Sequence, residues 1–252
     1  MMEPLAIVLA AGKGTRMKSD LPKVLARAAG RPLIDYVLDA LAAAGVKRSV
    51  VVVGYRADDV RQALKTRAGI EYALQTEQRG TGHAVMMCRD ALRDFRGPVI
   101  VVTGDSPMLQ VSSLRKLLDE YASSQAACVM GTLISEQPAN LGRIVRDGSG
   151  NFLGIVEEKD ATPEQRRISE VNMSTYVFDC RRLIDMLDRL TTNNRQGEYY
   201  ITDVPGLLRS LGWEVRALPV LQPCEAFSVN TVDDLRLVEQ EILRRQQLEC
   251  AN

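Results

Sequence analysis

The chain has 252 residues, with 32 Lys+Arg balanced against 32 Asp+Glu, a single His and five Cys. A chain of this size buries roughly 70–75% of its extended surface, so it makes one large domain or two small ones without disulfides or a structural metal. Zero net charge gives no global field for a polyanion, so nucleic acid is not implied as a partner.

In chain order, Leu5–Leu9 reads as a first strand, apolar almost throughout, as a strand covered on both faces should be. The apolar run to Ala11 is far short of the roughly 20 residues that span a bilayer, and no basic segment precedes it, so neither a membrane span nor a signal peptide is expected. Helices are predicted over Leu33–Ala44, Asp58–Arg67, Thr81–Phe95 and Ser112–Ala122. Strands are predicted over Ser49–Gly54, Ile70–Leu74, Val99–Thr103 and Ala126–Leu133. This alternation predicts an α/β fold with a mixed, mostly parallel sheet and helices on both faces.

After about residue 140 the rhythm changes. Arg143–Arg146 and Phe152–Glu157 flank a glycine-rich turn and read as a hairpin. Glu170–Phe178 and Trp213–Pro219 read as strands, and Arg181–Leu190 and Asp203–Leu211 as helices. Thr231 caps a last helix with Leu235, Val238 and Ile242 on one face. The five cysteines are scattered with no CxxC pair, which points to reduced thiols in a cytoplasm. The lone His83 disfavours a Ser-His-Asp triad or a multi-histidine metal site.

The first strand runs into Leu9-Ala10-Ala11-Gly12-Lys13-Gly14-Thr15-Arg16-Met17. Glycines after a buried strand let main-chain N–H groups approach a phosphate. The segment fits neither the P-loop nor the Rossmann fingerprint, whose third glycine is replaced by Met17. Instead Lys13, Arg16, Lys18 and Lys23 cluster here, three of the chain's seven lysines. A neutral chain that gathers cations beside a glycine loop is aimed at a polyphosphate, the alternative being a solvated basic loop.

Leu9-x-Ala11-Gly12-x-Gly14-Thr15-Arg16-Met17 with Leu21-Pro22-Lys23 resembles the opening of the sugar-1-phosphate nucleotidylyltransferases. Further similar segments follow in order: Gln75 to Ala84, Gly104-Asp105, Gly142-Arg143-Ile144, Gly154 to Thr162, Asn172, Gly197 to Asp203, and Val229-Asn230. Within that family the set most closely resembles the uridylyltransferase domain of the bacterial N-acetylglucosamine-1-phosphate uridylyltransferases. The resemblance implies a Rossmann-like, three-layer nucleotide-diphospho-sugar transferase fold in a single domain over 1–252. Residues 1–140 would bind the nucleotide, 141–230 the sugar, and 231–252 would form a C-terminal helix.

It also implies uridylyl transfer from UTP to a hexosamine-1-phosphate with release of pyrophosphate. Arg16 and Lys23 would be the catalytic cations, because fixed charge lowers the repulsion between two anions. Asp105 and Asn230 would hold Mg²⁺, which takes few protein ligands and keeps waters. Leu9, Ala10, Ala11, Gly12, Thr103 and Gly104 would line the nucleotide site. Gln75, Gly80 and Thr81 would read the base, with His83 structural. Gly142, Glu157 and Asn172 would hold the sugar, with Lys159 near its phosphate and Tyr199, Tyr200 and Thr202 along its pocket. The bland alternatives are a turn for Asp105, a cap of the last helix for Asn230, surface ion pairs for the cations and aromatic packing for the tyrosines.

At three places the sequence departs from the family's usual pattern. Thr103 and Leu141 stand where Tyr is usual, and Met173-Ser174 stands where Thr-Gly is usual. All three fall on the sugar side, so an altered choice of sugar is an expectation. The chain carries no hexapeptide repeat, so no acetyltransferase activity is expected, and a monomer or weak homodimer is. The rival readings are the same chemistry with another hexose-1-phosphate or nucleotide, a related glycosyltransferase, and a non-catalytic nucleotide-sugar sensor. Gly104-Asp105-Ser106-Pro107 lacks the second acid that a glycosyltransferase metal motif needs.

Overall fold

The structure is a computed structural model that describes residues 2–14, 17 and 20–250. In chain order the strands are β1 (Leu5–Leu9), β2 (Arg27–Ala28), β3 (Arg31–Pro32), β4 (Arg48–Val53), β5 (Ile70–Leu74) and β6 (Pro98–Thr103). They continue with β7 (Cys128–Ile134), β8 (Gly142–Arg146), β9 (Phe152–Val156), β10 (Glu170–Asp179) and β11 (Val215–Leu218). The helices are α1 (Leu33–Ala43), α2 (Ala57–Leu64), α3 (Thr81–Met86), α4 (Arg89–Leu92), α5 (Val111–Ser123), α6 (Cys180–Leu187), α7 (Val204–Ser210) and α8 (Val232–Cys250).

Among the described residues nine strands form one mixed sheet, with the order β11-β7-β10-β6-β1-β4-β5 and the β8–β9 hairpin attached to β10. β1 pairs in parallel with both β4 and β6, and β4 with β5. Alternate residues of β1 feed opposite faces. Leu5 and Ile7 pack in one core with Val85, Leu183 and Leu187, while Ala6 and Val8 pack in the other with Ile34, Val37 and Leu114. Two buried faces explain why the strand has no polar alternation. The expected three-layer α/β architecture is the one observed.

The chain moves from β1 outward to β4 and β5, then returns to place β6 on the other side of β1. The strand order therefore reverses at β1, and the crevice outside the carboxyl ends of β1 and β6 is where open α/β sheets bind ligands. β10 serves two partners. Val171 and Asn172 pair with β8, Tyr176–Asp179 pair with β6, and β7 runs along the other side. The register shifts between Asn172 and Thr175, where Ser174 has φ +52°. At the β11 edge, Arg146 donates to the carbonyl of Ala217 at 2.8 Å.

The single helix expected over Thr81–Phe95 is two. Met87 and Cys88 N–H groups bond back three residues, to Ala84 O at 3.2 Å and Val85 O at 2.9 Å. That tightened turn re-aims the second segment, whose Leu92 carbonyl accepts from the Cys180 thiol at 3.5 Å. The tiny β2–β3 hairpin was not predicted. Its turn residues Ala29 and Gly30 have φ +47° and +79°, the pattern of a two-residue hairpin turn. Cys88, Cys128, Cys180 and Cys224 are buried free thiols. No helix among the described residues is long and apolar enough to cross a membrane.

Candidate active site

Three loops at the carboxyl ends of parallel strands converge on one cleft of about 290 Å³. The loop after β1 contributes Leu9, Ala10, Ala11 and Gly12. The segment after β5 contributes Gln75, Gly80 and Thr81. The end of β6 contributes Thr103 and Asp105, and Lys23 enters from the side. Arg16, with Thr15 and Lys18, lies outside the described residues. A larger depression, about 760 Å³, lies elsewhere on the surface between Arg93, Arg182 and Trp213 and contains none of these groups.

Lys23 is the hub of the cleft. Its ammonium pairs with the Asp105 carboxylate and donates to Asn230 Oδ1 at 2.9 Å. Both charged side chains are mostly buried, at 17% and 18% exposure, so the contact is screened less than a surface pair. Pro22 leads in with extended backbone (ψ 136°) and Lys23–Leu25 then makes one 3-10 turn. Gly14 explains part of this placement. A Cβ on Gly14 would sit 2.6 Å from Lys23 Cβ, so its lack of a side chain admits the lysine stem, while Gly12 has open space. The two glycines of the loop thus have different reasons.

Gly104 N–H bonds Leu9 O at 2.9 Å, which locks the end of β6 to β1 and leaves Asp105 just beyond the strand. Val229 N–H bonds Asp105 O at 3.2 Å, bringing the 229–230 segment to the same point. Thr231, not Asn230, caps α8. Its hydroxyl accepts from Asp234 N–H at 3.1 Å, and the Asp234 carboxylate accepts from the N–H groups of Asn230 and Thr231. Thr103 Oγ1 is 2.8 Å from Ser106 Oγ.

Gln75 is 3% exposed, and its amide nitrogen donates to Gly80 O at 3.1 Å and lies 3.0 Å from His83 Nδ1. Gly80 has φ +104°, and a Cβ there would lie 2.5 Å from Tyr199 O, so both conformation and space require glycine. Thr81 is not a helix cap; its hydroxyl accepts from Ile201 N–H at 3.0 Å. Tyr199 stacks on His83 with ring centroids 6.3 Å apart, which puts it on this side of the site and not with the sugar group. Glu198 also lines the cleft and was missed, although it stands inside the Gly197–Asp203 segment.

Gly142, Glu157 and Asn172 form a second group. A Cβ on Gly142 would lie 3.5 Å from Glu157 Oε1 and 3.6 Å from Asn172 Cβ. Asn172 Oδ1 accepts from Tyr176 O–H at 2.9 Å and Ser174 N–H at 3.2 Å. Burial holds the Glu157 carboxyl above the usual range, against the Thr202 hydroxyl, while Asp203 and Asp160 push it further up. Below it, Arg143 is 1% exposed and pairs with Glu158 at 2.7 Å, anchoring the acidic segment to β8. Lys159 donates to Gln196. Leu141 and Met173 meet in one apolar cluster with Leu133, Val171 and Leu221, and Met173 is 8% exposed.

Residues 6–204 match the MobA-like NTP transferase domain. The chain belongs to this family. As an NTP transferase domain it is 43% identical over 244 residues to the bifunctional protein GlmU of Pelotomaculum thermopropionicum, which covers 97% of this chain and 53% of that protein. It is 40% identical over 251 residues to the bifunctional protein GlmU of Streptococcus uberis, covering 100% and 54%. The domain thus spans about half the length of these relatives. Its fold matches a UDP-glucose pyrophosphorylase solved with UDP-glucose, with TM-score 0.78, 18% identity and coverage of 97% and 100%.

Proposed function

We propose that the chain transfers uridylyl from UTP to N-acetylglucosamine-1-phosphate, giving UDP-N-acetylglucosamine and pyrophosphate. The observation that carries this reading is the Lys23 ammonium held between Asp105 and Asn230, beside the glycine loop and the Gln75–Gly80 pocket. The match to GlmU over its shared half supports the choice of nucleotide and sugar.

A sugar-phosphate oxygen attacks the α-phosphorus of UTP. The bond to the bridging oxygen breaks, and pyrophosphate leaves with the electron pair. No protein nucleophile is needed, so catalysis is positioning and charge stabilisation. Lys23 supplies a fixed positive charge to the α-phosphate and the attacking phosphate. Arg16 is assigned by resemblance to the pyrophosphate portion. Ala10, Ala11 and Gly12 flank the phosphates with main chain, and Gln75, Gly80 and Thr81 read the base. Gly142, Glu157 and Asn172 take the sugar hydroxyls.

Asp105 and Asn230 fit a magnesium ion. Both present hard oxygens to one cationic atom, and two ligands suffice for an ion that keeps its waters. Among the described residues no group of three or more His, Cys, Asp or Glu is suited to holding a metal. When bound, Mg²⁺ supplies Lewis-acid neutralisation of the phosphate oxygens.

A second reading keeps the chemistry and changes the sugar. It is favoured by Leu141 and Met173, which fill an apolar cluster where the family usually has Tyr and Thr. Pyrophosphate release with Mg²⁺ and UTP across a panel of sugar-1-phosphates tests both. Release with N-acetylglucosamine-1-phosphate above all others is the expected result. Release only with another hexose-1-phosphate selects the second reading. UTP binding with no release on any sugar overturns both in favour of a sensor.

A further inference from the structure

The amide of Gln75 is oriented by two neighbours. A main-chain carbonyl only accepts, so the Gln75 atom 3.1 Å from Gly80 O is nitrogen. The second hydrogen on that nitrogen points at His83 Nδ1, 3.0 Å away, which makes Nδ1 an acceptor and puts the imidazole proton on Nε2. The reverse amide orientation would set Oε1 against the Gly80 carbonyl, two acceptors with no hydrogen between them. His83 is itself fixed. Its ring stacks on Tyr199, whose main chain is tied to Arg79 O at 2.9 Å and to Gly82 N–H at 2.7 Å.

With both hydrogens of Gln75 committed, Oε1 is the atom left for the cleft that the residue lines, and among the described residues it accepts no hydrogen bond. An acceptor at that point separates the pyrimidines. Uracil has an N–H at ring position 3, whereas cytosine has a bare lone pair there. A buried acceptor facing that lone pair would be left unpaired.

We infer that His83 is a positioning residue for base selection: as a neutral imidazole accepting from Gln75 Nε2, it holds Gln75 Oε1 toward the base, and so selects a nucleotide with an N–H at ring position 3. This rests on the reading of Gln75 as the base-reading side chain.

The test compares kcat/KM for UTP and CTP in the wild type, His83→Leu, His83→Asn and Gln75→Ala. The wild type prefers UTP by about 100-fold or more, as a site built around a buried hydrogen bond should. His83→Leu removes one of the amide's two acceptors, leaves the Gly80 carbonyl as its only anchor, and lowers the preference at least about tenfold. His83→Asn restores an acceptor near Nδ1 and keeps the preference within about threefold of wild type. A folded His83→Leu enzyme with the wild-type preference overturns the inference. A wild type without preference, or an unchanged preference in Gln75→Ala, overturns instead the reading of Gln75 on which it rests. A second measurement needs no variant. His83 is the chain's only histidine, so a ¹⁵N spectrum at slightly alkaline pH contains one imidazole. A proton on Nε2 is expected, and a proton on Nδ1 overturns the inference.

Discussion

The nucleotide side of the site takes its groups from loops that follow parallel strands, while the sugar side takes them from the antiparallel strands of the same sheet. Ala10–Gly12, Gln75 and Asp105 each stand within three residues of the end of a parallel strand, buried in β1 and β6 and partly exposed in the edge strand β5. Gly142, Glu157 and Asn172 stand on β8, just past β9, and at a register shift in β10. The loops after β1 and β6 are fixed by strands buried on both faces, and Gln75 by its own burial beside Gly80. The sugar side depends on local packing, by Arg143 on Glu158 and by Leu141 on Met173. The departures from the family's usual residues, Thr103 apart, fall where local packing decides, so sugar choice can change without disturbing phosphate chemistry.

The largest effect is expected where the two halves of the sheet meet the C-terminal segment. Asp105→Ala removes a charged oxygen and the partner of Lys23, so Mg²⁺-dependent pyrophosphate release should fall by about 10³ or more. Lys23→Ala should lower kcat by about 10²–10³ while the dissociation constant for UTP rises by much less. Isothermal titration beside steady-state kinetics checks the split. Equal losses in binding and turnover would make Lys23 a binding residue only.

The fold was legible because its signals are local. β1 and β5 begin and end where apolar runs begin and end, and β6 differs by only one residue. The glycine loop and the strand-terminal acid were legible for the same reason. The convergence of Lys23 on Asn230 was not, because it spans 207 residues and rests on Val229 docking against Asp105. From sequence His83 reads as structural, since one ring nitrogen facing one amide leaves no spacing pattern. The β2–β3 hairpin has two-residue strands, too short to show alternation. Met173 stands on the sugar side in sequence, but its side chain goes into the apolar cluster with Leu141.

Glu157 sharpens the comparison through pH. Its carboxyl is held above the ordinary value, chiefly by burial. In the window between the unfolded and folded values the folded state binds the extra proton, so stability falls as pH rises through it. Glu157→Gln cannot ionise. Its melting temperature relative to wild type should therefore climb from acid to neutral pH, while KM for the sugar phosphate rises about tenfold. Scanning calorimetry across that range checks the first part. A constant difference would mean that Glu157 ionises without cost.

The smallest effect concerns a single backbone torsion. Ser174 has φ +52°, a region that costs an L-residue about 1–2 kcal/mol, and it stands where the family usually has glycine. The torsion is imposed by the register shift in β10, and it sets Ser174 N–H against Asn172 Oδ1 at 3.2 Å. Ser174→Gly removes the steric cost but gives the unfolded chain more freedom, so a net gain of about 0.5–1 kcal/mol is expected. For a chain of this size that raises the melting temperature by about 1–3 °C. The Asn172 bond is made by the main chain and survives the change, so KM for the sugar phosphate should stay within about twofold. A loss of stability would mean that the Ser174 side chain holds the bulge, and the sugar side would then owe its shape to that residue and not to the register of β10.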